Sequence, residues 1–114
     1  MIRIGTDIAF IPRFSDLSKH TRDRIFTPYE LERAGERGKR ESEYLASRFA
    51  SKEAYSKALG SGFCGLSPID IEVRNDESGA PYILYKGERD NAVSLSISHD
   101  GDYAVAFVVI EENE

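Results

Sequence analysis

Apolar and polar residues alternate imperfectly over residues 2–11, a stretch that is rich in isoleucine. This alternation is typical of a β-strand, and it predicts a strand with Asp7 in its middle. Pro12 lacks a backbone N–H and has a restricted φ angle, so it is expected to end the strand and open a short helix through Leu17. The chain is therefore predicted to begin with a strand that carries one ionisable side chain among apolar ones.

A helix is predicted to begin at Pro28. Thr27 is suited to the N-cap, Pro28 to the first helical position, and Glu30 follows three residues after the cap. The helix is expected to run to about Gly35 or Gly38.

The longest predicted helix begins at Ser42 or Glu41 and continues to Leu59. Its alanine-rich sequence contains no glycine, proline or β-branched residue, which favours a helix. Gly60 is expected to end it in the left-handed conformation that glycine adopts readily.

The pattern after Gly60 changes to one typical of strands and turns. A turn is expected at residues 75–79, and Asp100-Gly101 between two apolar runs is a strong signal for a β-hairpin. Pro81 is expected to place its strand at a sheet edge. The predicted strands lie at residues 69–73, 81–85, 93–99 and 103–110.

This order of elements predicts the α+β class, with an antiparallel sheet packed against a long central helix. The chain has 114 residues, so residues 1–114 are expected to form a single compact domain.

Cysteine content and hydropathy suggest where the protein acts. Cys64 is the only cysteine, which excludes an internal disulfide and fits a reducing compartment. The apolar N-terminal run is interrupted by Asp7 and has no small-residue cleavage site, and no later segment is long enough to cross a bilayer. A soluble cytoplasmic protein that binds no membrane is expected.

Charge is unevenly distributed along the chain. The net charge is −5, which argues against nucleic-acid binding because such binding needs a broad basic face. Basic residues outnumber acidic ones over residues 13–40, whereas acidic residues dominate residues 70–114. The basic segment could meet an acidic partner, although charge alone is explained more simply by solvated helices.

Asp7, Glu53 and Lys57 form the first group of candidate site residues. Each has an ordinary explanation, since Asp7 could lie on a polar strand face and Glu53 could form a surface salt bridge with Lys57 four residues later. Together, two carboxylates without histidine or cysteine ligands suit a hard cation such as Mg²⁺, and the lysine suits a phosphate. Spacing alone leaves both explanations open.

His99 is a further candidate, at the end of a predicted strand. Ser98 and Asp100 flank it, but adjacent strand residues point to opposite faces and cannot form a Ser–His–Asp triad. Hydrolysis by such a triad is therefore excluded.

The chain resembles the holo-acyl-carrier-protein synthase family of phosphopantetheinyl transferases, in order and over about residues 4–110. Further similarity lies at residues 24–31 and 66–73. The blocks that carry the resemblance are IGTDI at residues 4–8, RFASKEAYSKALG at 48–60, and LSISH at 95–99 followed by YAVA at 103–106. The resemblance implies the phosphopantetheinyl transferase fold and a homotrimer with active sites at subunit interfaces.

The resemblance also implies a role for each matching residue. Asp7 and Glu53 would bind magnesium, and Lys57 would contact the phosphates of coenzyme A. His99 and, at the 3′-phosphate, Arg48 would lie near the nucleotide, with Gly60 also at the coenzyme A site. The basic residues Arg13 and Arg24 would dock the acidic helix of an acyl carrier protein.

The implied reaction is attack by a carrier-protein serine on the β-phosphate of coenzyme A. It releases 3′,5′-ADP and serves fatty-acid biosynthesis. Magnesium and Lys57 would stabilise the charge of the transferred group. A metal-ordered water held by Glu53 is the leading hypothesis for the proton acceptor.

Two other functions are weighed against this one. A magnesium-dependent phosphodiesterase or pyrophosphohydrolase could use Asp7 and Glu53 without a protein acceptor. A non-catalytic module could bind an acidic protein through residues 13–40. Neither explains why the block at residues 48–60 and the block at residues 95–106 occur together in this order.

Two features depart from the family pattern and bear on the nucleotide contacts. They are Asp100, which follows His99, and the short loop at residues 60–65.

Overall fold

A computed structural model of the protein describes residues 1–60 and 66–112. Cys64 and most of the short loop predicted around it lie outside the described residues. The elements in chain order are β1 (Ile2–Phe10), α1 (Lys19–Ile25), α2 (Pro28–Gly35), α3 (Glu41–Leu59), β2 (Ile71–Asn75), β3 (Pro81–Tyr85), β4 (Glu88–Arg89), β5 (Val93–Asp100) and β6 (Tyr103–Glu111), with 3₁₀ helices at Ile11–Phe14, Gly38–Arg40 and Pro68–Asp70.

Local sequence signals set the ends of α2 and α3, and both predictions are confirmed. The Thr27 hydroxyl accepts a hydrogen bond from the Glu30 amide at 3.3 Å. The Glu30 carboxylate accepts one from the Thr27 amide at 3.0 Å, which completes a capping box. At the C-terminal end of α3, Gly60 has a φ of 85°, a conformation that costs glycine little.

The segment between β1 and α2 differs from the prediction. The short helix expected through Leu17 is a 3₁₀ turn that ends at Phe14. The helix α1 then follows, which the sequence analysis did not predict. Ser18 caps it by accepting a hydrogen bond from the Thr21 amide at 3.2 Å, so an N-cap serine was the available signal.

The strands form two three-stranded antiparallel sheets, in the orders β1-β6-β5 and β2-β3-β4. The α+β class and the antiparallel pairing are confirmed, although one sheet was expected. The prediction that Pro81 lies in an edge strand is wrong, because β3 lies between β2 and β4. Pro81 is the first residue of β3, and β4 pairs only with Leu84 and Tyr85 at the other end of that strand. The missing backbone N–H of Pro81 is therefore tolerated.

The β5–β6 hairpin forms as predicted, with its turn displaced by one residue. Asp100 pairs with Tyr103, which leaves Gly101 and Asp102 as the turn residues. Gly101 has a φ of 56°, a value suited to a tight hairpin turn.

The helix α3 packs against β1 and β6 and lies at the centre of the core. Small residues make this contact possible, since Ala50, Ala54 and Ala58 are all buried. The face of β1 that packs on α3 carries Ala9, which is 1% exposed, whereas the isoleucines of the opposite face are exposed. No helix among the described residues is both long and apolar enough to cross a membrane.

Candidate active site

Gly5 allows β1 to lie directly on α3. A Cβ added to Gly5 would clash with the carbonyl oxygen of Ala54 and would lie 2.8 Å from the amide nitrogen of Ala58. Only glycine fits such a close approach of two backbones. The contact brings the next residue of the same strand face, Asp7, to the surface of the helix.

Asp7 forms a salt bridge with Lys57. The Lys57 Nζ lies 3.0 Å from Asp7 Oδ1 and also donates a hydrogen bond to the carbonyl oxygen of Thr6 at 3.0 Å. The Asp7 side chain is 16% exposed and that of Lys57 is 50% exposed. The salt bridge thus joins a strand and a helix rather than Lys57 and the Glu53 of its own helix, as the ordinary explanation of Glu53 supposed.

Glu53 lies one helical turn before Lys57, close enough to both partners for their charges to affect it. Burial raises the pKa of its carboxyl group, the Asp7 carboxylate raises this pKa further, and the Lys57 ammonium lowers it. Two carboxylates that lie close enough for one to raise the pKa of the other suit a divalent cation. Among the described residues, no group of three or more His, Cys, Asp or Glu side chains could hold a metal.

A cavity of about 520 Å³ contains Arg48 on its wall. Arg48 is 5% exposed, and its guanidinium carbon lies 4.3 Å from the centre of the Tyr44 ring. Burial lowers the pKa of this guanidinium. Among the described residues, its Nε and Nη1 are buried and have no hydrogen-bond partner, so an unsatisfied cation lies beside the cavity, where an anion would compensate its charge.

His99 lines the same cavity from β5. Its Nε2 lies 3.3 Å from Glu43 Oε1, and Arg40 donates to that same oxygen from Nη2 at 2.9 Å. The structure therefore brings His99 and Arg48 to one cavity, and Glu43 lies between His99 and Arg40.

The two groups lie on different faces of α3. Residues advance by about 100° each around a helix, so Arg48 points about 140° away from Glu53 and about 180° away from Lys57. The group of Asp7, Glu53 and Lys57 is therefore not joined to the group of Arg48 and His99 within one chain.

Three further predicted site residues lie apart from these groups. Gly60 ends α3, where its amide donates to the Lys57 carbonyl at 3.0 Å. Arg13 is exposed on the 3₁₀ helix that follows β1. Arg24 is exposed on α1 and lines a second cavity together with His20 and Pro68.

Three residues that shape the interior and these groups, Gly5, Lys52 and Glu43, had no role that could be assigned from the sequence. Gly5 was part of a matching block, and a glycine inside an apolar strand is a signal of close backbone approach. Lys52 was also part of a block, but its partner Glu30 lies 22 residues away along the chain. Glu43 gave no local signal, because its contact with His99 exists only in the folded chain.

Comparison with known proteins agrees with this architecture. The family model of the 4'-phosphopantetheinyl transferase superfamily matches residues 3–108. A holo-acyl-carrier-protein synthase from Geobacillus kaustophilus is 47% identical over 116 residues, which cover 97% of this chain and 89% of the relative. One from Wolbachia sp. subsp. Drosophila simulans is 46% identical over 113 residues, which cover 94% of this chain and 95% of the relative.

A solved structure is also similar over nearly the whole length of the chain. The crystal structure of a holo-acyl-carrier-protein synthase from Bacillus anthracis in complex with CoA (3',5'-ADP) matches with a TM-score of 0.85 and 42% identity, covering 97% of this chain and 96% of that one. Sequence and fold agree over nearly the whole length of the chain. The chain therefore belongs to the holo-acyl-carrier-protein synthase family of the 4'-phosphopantetheinyl transferase superfamily.

Proposed function

We propose that the chain transfers 4′-phosphopantetheine from coenzyme A to a serine hydroxyl of an apo-acyl carrier protein and releases 3′,5′-ADP. The observation that carries this proposal is the group of Asp7, Glu53 and Lys57, in which two carboxylates lie beside an ammonium group. Carboxylates that hold a divalent cation and an ammonium that contacts phosphate oxygens are the parts that transfer from a diphosphate requires. Coenzyme A is also the ligand of the Bacillus anthracis relative.

Asp7 and Glu53 would hold a magnesium ion. The fit rests on their mutual repulsion, which raises the pKa of Glu53 and which a divalent cation would relieve. Mg²⁺ retains several waters and accepts phosphate oxygens, so two protein carboxylates are sufficient. When bound, it would neutralise charge on the diphosphate.

The side chains around this site would assist the transfer itself. The serine oxygen bonds to the β-phosphorus of coenzyme A, and the bond from that phosphorus to the bridging oxygen of 3′,5′-ADP breaks. Lys57 stabilises the negative charge on the departing oxygen, and Asp7 keeps the Lys57 ammonium in place. Glu53 orients the water that accepts the serine proton.

The cavity beside Arg48 and His99 would bind the nucleotide end of coenzyme A. The buried Arg48 donors that lack partners among the described residues suit the 3′-phosphate, which accepts charge-assisted hydrogen bonds. Gly60, which follows the last residue of α3, would lie near the phosphates that carry the pantetheine group.

We infer that this site is assembled between copies in a homotrimer. Within one chain, Arg48 and Lys57 point in opposite directions from α3, so one coenzyme A molecule would contact residues of two chains. The outer face of β1 and β6 supports such assembly, because large apolar side chains are exposed along both strands. We call this the apolar sheet face; it comprises Ile2, Ile4, Ile8, Phe10, Tyr103, Val105 and Phe107.

Arg13 and Arg24 would dock the carrier protein. Both are exposed, and neither forms a salt bridge with any residue in the described part of the chain. Their charges are thus available to an acidic protein surface.

One domain, residues 1–114, would carry the whole activity. We place the reaction in the cytoplasm and in fatty-acid biosynthesis, without nucleic acid or membrane as a partner.

Intact-protein mass spectrometry tests the proposed transfer. An apo-acyl carrier protein is incubated with the protein, coenzyme A and Mg²⁺, with EDTA and Asp7→Ala as controls. We expect a mass gain of one phosphopantetheine group, absent from both controls. Release of coenzyme A fragments without a carrier adduct would favour the hydrolase instead. Carrier binding without any product would favour the non-catalytic module.

A further inference from the structure

Lys52 is buried in the interior of the protein although it carries an ammonium group. Its side chain is 0% exposed, as is that of its partner Glu30. The Lys52 Nζ donates to Glu30 Oε1 at 2.6 Å, to the Ile25 carbonyl at 2.7 Å and to the Pro68 carbonyl at 3.0 Å. All three ammonium protons are therefore used, which is what a buried lysine requires.

Each acceptor belongs to a different part of the chain. Ile25 is the last residue of α1, and Pro68 is the first residue of a 3₁₀ helix. Glu30 lies in α2 and also accepts a hydrogen bond from the amide of Val73 in β2, at 2.8 Å. Lys52 thus connects α3 to α1, α2, β2 and the 3₁₀ helix at one point.

The helix α1 depends on this connection more than the others do. It has seven residues and none of them is fully buried. Only Ile25 packs against the core, and the other tie between α1 and α3 is a partly exposed salt bridge from Arg22 to Glu41 at 2.8 Å. It packs against the 3₁₀ helix at Pro68–Asp70, whose first carbonyl also accepts from Lys52. The Lys52 ammonium therefore holds both the end of α1 and the segment on which α1 rests.

The same helix carries Arg24, next to Ile25, while Glu53 is next to Lys52 in α3. The position of the carrier-docking Arg24 relative to Glu53 therefore depends on the Lys52–Ile25 hydrogen bond, with the partly exposed Arg22–Glu41 salt bridge as the second link between the two helices. A carrier protein bound to α1 must present its serine at Glu53, so an error in the position of α1 becomes an error in the position of the serine.

We propose that Lys52 is a positioning residue for the carrier protein: it fixes α1, and with it Arg24, relative to Glu53. The proposal rests on the proposed function. A methionine of similar length could fill the same volume, but it could not donate to the carbonyls of Ile25 and Pro68. The ion pair is therefore needed for the placement of α1 rather than only for packing.

The test uses the double variant Glu30→Gln/Lys52→Met, which leaves no unpaired charge in the interior. Ile83→Ala is the matched control, because it removes buried volume from β3 without touching α1. Steady-state transfer is measured with carrier protein and coenzyme A varied separately. Amide hydrogen exchange over residues 19–26 is followed in both variants.

We expect the double variant to raise KM for the carrier protein by about tenfold or more, with KM for coenzyme A changed by less than about twofold. Exchange over α1 should accelerate in the double variant and not in Ile83→Ala. A purely structural role would lower the active fraction in both variants and leave both KM values unchanged. That result, or unchanged exchange over α1, would overturn the proposal.

An Arg24→Glu variant separates this inference from the proposed function. If Arg24→Glu raises KM for the carrier while the double variant does not, Lys52 has no positioning role and the function stands. If the wild-type protein modifies no carrier at all, the proposed function fails and the inference fails with it.

Discussion

Gly5 in β1 and Ala54 in α3 approach so closely that no side-chain carbon fits between their backbones. Asp7 follows on the same strand face, two residues after Gly5. The separation of β1 from α3 therefore sets the distance between the Asp7 carboxylate and the side chains of Glu53 and Lys57.

Gly5→Ala should impair both stability and transfer. The added methyl group meets backbone atoms, which cannot rotate away as a side chain can, so β1 must move away from α3. We expect a loss of about 1–3 kcal/mol in the free energy of unfolding, as for other overpacked sites. Transfer should fall because Asp7 moves with β1. Urea unfolding and the initial rate of carrier modification measure the two effects.

Gly35→Ala is the matched control for this substitution. A Cβ at Gly35 meets no atom within 4 Å among the described residues, and Gly35 lies in the last turn of α2. Its stability should be equal to that of the wild-type protein or slightly higher, with unchanged transfer. Wild-type stability and rate in Gly5→Ala would show that the close approach is not needed.

Asp7→Asn should weaken the response to magnesium. The substitution keeps the shape of the side chain but removes one of two carboxylates that we propose as ligands. We expect kcat to fall by more than about 100-fold, beyond the loss typical of outer-shell partners, and the Mg²⁺ concentration for half-maximal rate to rise. The free energy of unfolding should change by no more than about 1 kcal/mol, since the lost salt bridge is partly exposed.

Asp23→Asn serves as the control, because Asp23 also pairs with a lysine, Lys19, but on the exposed surface of α1. A magnesium titration of the transfer rate should match that of the wild-type protein. If Asp7→Asn and Asp23→Asn gave the same titration, Asp7 would not be a metal ligand.

Arg48→Met should weaken recognition of the 3′-phosphate without lowering stability. Two buried guanidinium nitrogens of Arg48 lack partners within the described residues, so removing them relieves an unsatisfied cation. We expect KM for coenzyme A to rise by about 10- to 100-fold, the range for charge-assisted hydrogen bonds. Thermal unfolding should occur at the same temperature as in the wild-type protein or above it.

The substrate 3′-dephospho-coenzyme A makes this test specific. The wild-type protein should use it less efficiently than coenzyme A, whereas Arg48→Met should treat the two substrates alike. Continued preference for coenzyme A in the variant would place the 3′-phosphate elsewhere.

Phe107→Asp should separate the copies of the chain. Phe107 is 44% exposed at the centre of the apolar sheet face, opposite Thr6 in the β1–β6 register. A carboxylate there would be desolvated in any interface that covers the face. Light scattering after size exclusion should give the mass of a trimer for the wild-type protein and of a monomer for the variant. Ile69→Asp, at an exposed residue outside the face, should leave the mass unchanged.

Mixing two impaired variants, at a coenzyme A concentration well below the KM of Arg48→Met, tests whether each site is shared between chains. Lys57→Met and Arg48→Met place their defects in the two groups that a single chain keeps apart. Mixed trimers should recover part of the transfer rate, because some sites would combine two intact surfaces. Absence of any recovery, with mixed trimers detected by native mass spectrometry, would contradict shared sites.

Local signals account for the parts of the fold that were predicted correctly. The capping box at Thr27 and Glu30 and the left-handed glycine at position 60 satisfy helix ends within a few residues of sequence. Their physics needs no distant partner, so the bounds of α2 and α3 could be predicted. The hairpin between β5 and β6 could be predicted for the same reason, although its turn lies one residue later.

The inner face of β1 could not be predicted, because alternation defines two faces without saying which one is covered. The isoleucines favour an apolar face, and the simplest expectation buries that face and leaves Asp7 in solvent. In the structure, α3 covers the face of Gly5, Asp7 and Ala9, and the isoleucines are exposed. Which face of β1 is covered depends on α3, whose backbone at Ala54 and Ala58 lies directly against Gly5.

The sequence by itself determined the ends of α2 and α3, the α+β class and, through its matching blocks, the family. The roles of the site residues stay predictions. Tertiary structure alone decided that Lys57 pairs with Asp7, 50 residues away, and that Lys52 pairs with Glu30 in the interior. Such pairs depend on how β1, α2 and α3 pack in three dimensions, and no local pattern of residues encodes that packing.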